Sequence, residues 1–115
     1  MAGFVTRADI YNPTTDTYAA GPTLPIARAY FGAAVGSDGR AYLAGGSLNG
    51  DLTSVTAFNF ASSTYATVAP MNVPHSYYPL VSLADGRLLA IGGRSTSGTS
   101  ITRVEAYTVS NNTWR

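Results

Sequence analysis

Asp38-Gly39-Arg40-Ala41-Tyr42-Leu43-Ala44-Gly45-Gly46 returns 47 residues later as Asp85-Gly86-Arg87-Leu88-Leu89-Ala90-Ile91-Gly92-Gly93. Asp-Gly is a strong hairpin signal, because glycine accepts the positive φ of a tight turn. The apolar run behind it reads as a strand. The double glycine stops that strand, since two residues without Cβ weaken it and let a neighbouring backbone or ring approach closely. Upstream, residues 31–35 and 78–83 read as the strand on the other side of each Asp-Gly turn. Downstream, residues 47–53 and 94–100 are polar loops, the second carrying a two-residue insertion, and residues 55–60 and 101–109 are a third strand. A Ser/Asn/Thr turn then leads to an aromatic residue that opens a fourth strand.

This last block occurs three times, as Tyr11-Asn12-Pro13-Thr14-Thr15-Asp16-Thr17-Tyr18, as Phe58-Asn59-Phe60-Ala61-Ser62-Ser63-Thr64-Tyr65 and as Tyr107-Thr108-Val109-Ser110-Asn111-Asn112-Thr113-Trp114. A period near 50 marks stacked supersecondary units, none of which buries its own apolar faces. No stretch has helical periodicity. The expected fold is all-β, built from four-stranded antiparallel sheets.

The combination resembles the kelch repeat of β-propellers, whose pattern is a double glycine, then an aromatic in a Tyr-Asp-Pro-like segment, then Trp about six residues on. Gly45-Gly46 with Phe58 and Tyr65, and Gly92-Gly93 with Tyr107 and Trp114, carry the likeness, and Tyr11 with Tyr18 belongs to a partial copy. Tyr replaces Trp twice, and Phe58-Asn59-Phe60 lacks the Asp-Pro. The resemblance implies kelch blades divided as residues 1–27, the third and fourth strands of a partial blade; 28–73, a complete blade; and 74–115, a second blade lacking most of its last strand. Propellers close with about 4–8 blades, so about two blades make an incomplete ring whose outer faces await other copies of this chain or the remaining blades of a larger propeller. The repeating aromatics Tyr11, Phe58, Tyr107, Tyr18, Tyr65 and Trp114 are expected between blades.

The 115 residues hold seven Lys+Arg, all of them Arg, six Asp+Glu, one His and no Cys, for a net charge of +1. The arginines stand singly, so there is no basic patch for nucleic acid. No apolar run approaches the ~20 residues of a membrane span, and no signal segment precedes Ala8, so the chain reads as soluble. Lack of cysteine leaves the compartment open. Low charge and abundant Ser, Thr, Gly and Asn lean toward an extracellular or envelope setting.

Catalytic chemistry finds little to work with. Asp38 and Asp85 occupy equivalent turns, where the side chain bonds backbone amides, and Asp9 and Glu105 occupy equivalent third-strand positions, which favours structural roles. His75 is the one histidine, and a metal site commonly draws on several ligands. The copper centre of kelch-like galactose oxidases, with its Cys-modified Tyr, has no counterpart in a chain without cysteine. A triad assembled from Ser76, His75 and Asp85 would be a match of composition, whereas triads are recognised by geometry. Asn111-Asn112-Thr113 fits a glycosylation sequon and also the turn before Trp114. The chain is therefore read as non-enzymatic, without metal or cofactor.

In kelch propellers the loops between second and third strands share a face with those joining successive blades. On that rim the expected binding residues are Arg28, Tyr30, Asp51, His75, Tyr77 and Arg94, for a protein, peptide or carbohydrate. Arg28 brings a five-donor fork; its competing role is to tie the inter-blade loop to a neighbouring backbone, and the same choice applies to His75. Tyr30 and Tyr77 bring the flat amphipathic surface enriched at interfaces, or else pack on the adjoining strand. Alternation points one member of each pair, Tyr30-Phe31 and Tyr77-Tyr78, inward, without saying which. Asp51 is either a ligand contact or a solvated loop carboxylate. The resulting function is a non-catalytic interaction or assembly scaffold. The alternative is a fragment of a larger kelch-type enzyme, an oxidase or sugar-processing protein, with its catalytic residues outside this chain.

Overall fold

The computed structural model describes residues 6–95 and 97–115; residues 1–5 of the leading segment and Thr96 of the second rim loop lie outside the described residues. Among these, all regular structure is β. In chain order the strands are β1 (Asp9–Asn12), β2 (Thr17–Ala20), β3 (Gly32–Val35), β4 (Ala41–Ala44), β5 (Val55–Asn59), β6 (Thr64–Val68), β7 (Leu80–Ser82), β8 (Arg87–Ile91), β9 (Val104–Thr108) and β10 (Thr113–Trp114). They form a β1-β2 hairpin and two four-stranded antiparallel meanders, β3-β4-β5-β6 and β7-β8-β9-β10. These are propeller-type blades.

The turns are built as their residues dictate. Asp38 accepts from the Arg40 backbone N–H at 3.1 Å, and Asp85 accepts from that of Arg87 at 3.1 Å. At the third-to-fourth-strand turns, Asn12 and Asn59 accept from the amides two residues on, each at 2.9 Å. Asp16, Ser63 and Asn112 then take the left-handed backbone, φ 54°, 57° and 56°. This is where short polar side chains tolerate that conformation best.

The core lies between the two four-stranded sheets. Tyr42, Ala44, Val55 and Ala57 of the first meet Leu80, Leu88, Ala90, Tyr107 and Trp114 of the second, with Met71 and Tyr78 from the connecting segment. Pairing sets the faces: Tyr42 opposes Ala57 and Ala44 opposes Val55, while Leu88 opposes Tyr107, which opposes Trp114. The Trp114 indole N–H donates to Ala69 O at 2.9 Å, and the Tyr65 hydroxyl donates to Pro22 O at 2.8 Å. Each ring thus reaches the segment that follows the last strand of the preceding sheet.

The first copy differs from the other two in exposure within this chain. Tyr11 and Tyr18 are exposed, Tyr18 to 73%, and their rings pack on each other at 5.0 Å. Tyr65 is half-buried, whereas Phe58, Tyr107 and Trp114 are buried.

Candidate functional site

At each double glycine the chain leaves its strand with two consecutive positive φ values, 65° and 82° at Gly45-Gly46 and 62° and 97° at Gly92-Gly93. A Cβ on Gly46 would run into the Ala29 carbonyl oxygen and lie 2.9 Å from Phe31 Cβ; one on Gly93 would meet the Ser76 carbonyl oxygen and lie 2.7 Å from Tyr78 Cβ. That close approach is what lets the rim form. Ala29 and Ser47 exchange backbone hydrogen bonds at 3.0 and 2.8 Å, and Arg94 N–H donates to Ser76 O at 2.9 Å. The segment leading into each blade is thereby laced to the loop after the double glycine. The two lead segments are joined in turn by Tyr77 N–H to Tyr30 O, 3.0 Å.

Tyr30 and Tyr77 both sit in left-handed backbone, φ 57° and 54°. For a bulky L-residue that costs on the order of 1–2 kcal/mol, and it settles the alternation left open by the sequence. Tyr30 and Tyr77 turn outward, 54% and 43% exposed, while Tyr78 turns into the core and donates its hydroxyl proton to Ala44 O. The outward rings stack with centroids 4.1 Å apart and planes 23° from parallel. The Arg94 guanidinium lies over the Tyr77 ring, 4.7 Å from its centroid. Hydrogen bonding to Tyr30 raises the Tyr77 phenol above its ordinary range.

The rim assignment of Arg28 and His75 is corrected, because both side chains are buried, 3% and 0% exposed. Arg28 Nη1 donates to Gly45 O at 2.9 Å and to Ser54 O at 3.0 Å, and Nη2 donates to Ser54 Oγ and Thr56 Oγ1. Burial lowers the guanidinium from its usual value. His75 Nδ1 donates to Gly92 O at 2.7 Å, and Nε2 lies 2.8 Å from Glu105 Oε2. The physical reason is the same in both blades: the first glycine of each pair turns its carbonyl inward and needs a donor. These residues tie the inter-blade segment to the backbone. Asp51 is half-buried, with Ser76 Oγ donating to it at 3.4 Å, so it bridges the first rim loop to the next lead segment.

Glu105 was placed by its sequence as an ordinary repeat position. In the structure it is fully buried, accepting from the N–H groups of Asn72 at 2.8 Å and Val73 at 3.2 Å besides its contact with His75. Burial alone would raise its carboxyl, but these backbone amides and the imidazole outweigh it and hold the group below the usual carboxylate value. The sequence signal was available in the paired exchange of Arg28 for His75 and Thr56 for Glu105.

Residues 76–115 match the family model described as the Kelch motif. This segment is a kelch repeat. No curated protein sequence matches the chain. Among solved structures, the kelch-bearing chain is similar to a novel fungal alcohol oxidase with catalytic diversity among the AA5 family, in complex with copper, with a TM-score of 0.74 and 21% identity. The match covers 95% of this chain and 23% of the oxidase, so this chain spans less than a quarter of that length. At this identity the likeness is one of fold. The donor set here does not fit a copper centre: the chain has one His and no Cys, both ring nitrogens of that His are engaged, and no group of three or more His, Cys, Asp or Glu converges among the described residues.

Proposed function

We propose that this chain is a non-catalytic kelch propeller segment acting as an interaction and assembly scaffold that binds its partner through the rim loops. The observation that carries this reading is the Tyr30–Tyr77 pair with Arg94 over it. Backbone outliers of this kind concentrate at functional sites, and Tyr and Arg are the residue types enriched at binding hot spots. The backbone bond from Tyr77 N–H to Tyr30 O is what the fold takes from these two residues, while their rings, turned away from the core, are left to a partner.

Assembly has its own support. Tyr11 and Tyr18 are exposed on the hairpin, and Val81, Ile91 and Val104 are exposed on the second four-stranded sheet. These surfaces suit further blades, either other copies of this chain or the remaining blades of a larger propeller. The oxidase alternative draws on a likeness of fold alone, and no residue of this chain argues for it.

Panning a random peptide display library on the immobilised chain tests the rim. Sequences enriched on the wild type should be lost on a folded Tyr30→Ala/Arg94→Ala variant. Equal enrichment on both would place binding elsewhere and end the rim reading.

A further inference from the structure

We propose that Asn49 is a site of spontaneous modification, at which the Gly50 backbone nitrogen attacks the Asn49 carboxamide and the residue becomes aspartate or isoaspartate. This stands independently of what the rim binds. The reaction needs a side chain free to swing, a following amide with no other bond, and no bulk on the next residue. Asn49-Gly50 supplies all three. Both residues are exposed in the loop after Gly45-Gly46. The Asn49 side chain and the Gly50 N–H have no hydrogen-bond partner among the described residues, and a Cβ on Gly50 would meet open space.

The other asparagines lack this combination. Asn12 precedes Pro13, which has no N–H to react. The amides after Asn72 and Asn111 are already donated, Val73 N–H to Glu105 Oε2 at 3.2 Å and Asn112 N–H to Thr108 O at 2.9 Å. Asn59 and Asn112 have their side-chain oxygens held by the Ala61 and Ala69 N–H groups, each at 2.9 Å, and are followed by the bulkier Phe60 and Thr113.

At Asn49 the Gly50 nitrogen gives its proton to hydroxide and bonds to Asn49 Cγ; the Cγ–Nδ2 bond breaks and Nδ2 leaves as ammonia, closing a five-membered imide. Water then opens the ring, at Cγ to give aspartate or at the main-chain carbonyl to give isoaspartate. One water enters and one ammonia departs. Closure turns the chain about the Asn49 Cα–C bond, away from its left-handed conformation at φ 53° and against the Leu48 N–H to Gly50 O bond of 2.9 Å. Glycine on the far side opposes that turn least. Isoaspartate would lengthen the main chain inside the ribbon that Leu52 N–H and Gly46 O close at 2.8 Å. Either product adds a carboxylate and takes the formal net charge from +1 to zero, the balance at which proteins associate most readily.

The test follows the folded full chain at mildly alkaline pH by peptide mass spectrometry, with isoaspartyl methyltransferase labelling to count the branched product. Asn49 should be converted first, at a rate no more than about tenfold below that in the guanidinium-unfolded chain, a difference of about 1.4 kcal/mol for turning the loop. The converted chain should elute from an ion-exchange column as a more acidic form. Asn49→Gln should remove that form while keeping the wild-type Trp114 fluorescence. Earlier conversion of another asparagine would overturn the assignment, as would an acidic form that persists in Asn49→Gln. An Asn49 that stays intact in the folded chain under conditions that convert it when unfolded would also overturn it, because the rim loop would then be locked against closure. A rate that does not rise with pH would rule out attack by the Gly50 nitrogen.

Discussion

Arg28 and His75 hold equivalent places in successive blades and perform one task with different chemistry. Each donates to the carbonyl of the first glycine in its blade's double glycine, Arg28 to Gly45 O at 2.9 Å and His75 to Gly92 O at 2.7 Å. Arg28 reaches on to Ser54 and Thr56, whereas the shorter His75 meets a carboxylate, Glu105, at the position equivalent to Thr56. The long cation faces a hydroxyl and the short ring faces an acid, so each pair fills the same buried gap with its donors satisfied.

Both substitutions to alanine should therefore act on stability. Arg28→Ala strands the buried Gly45 carbonyl, whereas Ser54 O keeps the Gly45 N–H, and should cost roughly 1–3 kcal/mol. His75→Ala leaves Glu105 buried without its ring partner and should cost about 3–5 kcal/mol. His75→Arg, which restores a donor beside Glu105, should recover part of that loss. Thermal melts within about 0.5 kcal/mol of wild type, the range of an ordinary surface change, would return Arg28 and His75 to the rim.

Glu105 sets an acid limit. Its folded carboxyl titrates below the unfolded value of about 4.3, so the stability it contributes is present above that value and lost as pH falls through the folded one. Melting temperature should fall as pH drops from about 5 toward about 3, and Glu105→Gln should start lower at neutral pH but fall less steeply over that interval. Parallel acid limbs in the two proteins would show that Glu105 does not couple to folding.

What the sequence makes legible follows from repetition. The Asp-Gly turns, the double glycines and the aromatic pairs recur in register, and backbone geometry is local enough for those residue types to dictate it. Burial of Arg28 and His75 is not local: it depends on a carbonyl 17 residues away in each case. Polar residues at a loop start look alike whether they face water or a glycine carbonyl. Tyr30 and Tyr77 escape for the opposite reason. Nothing in a tyrosine announces a left-handed backbone, and the outward turn arises only when the lead segment is laced to its rim loop and to its neighbour.

The lacing itself can be broken at one atom. Gly46→Val places a branched side chain against the Ala29 carbonyl and Phe31 Cβ at φ 82°, and Gly93→Ala meets the Ser76 carbonyl at φ 97°. Neither obstacle is the free end of a side chain, so both proteins should fail to give a cooperative melt, with Gly93→Ala the milder of the two. Gly50→Ala has open space around its Cβ but a φ of 143°; it should stay folded at a cost on the order of 1 kcal/mol. A well-folded Gly46→Val protein would mean that the rim ribbon is not drawn this tightly.

The three aromatics that open a fourth strand should grade by what covers them. Trp114 is 9% exposed and bonded to Ala69 O, so Trp114→Ala should cost about 3–5 kcal/mol. Tyr65 is half-buried, with its hydroxyl on Pro22 O, and its truncation should cost less, roughly 1–3 kcal/mol. Tyr18, 73% exposed, should change stability by less than about 1 kcal/mol in dilute solution. Concentration separates the hairpin's two roles: where further blades or other copies cover the Tyr11–Tyr18 face, Tyr18→Ala should lower the mass seen by light scattering at high concentration while leaving the melt at low concentration unchanged. A Tyr18→Ala protein that destabilises as much as Trp114→Ala in dilute solution would mean that this ring is already covered within one chain.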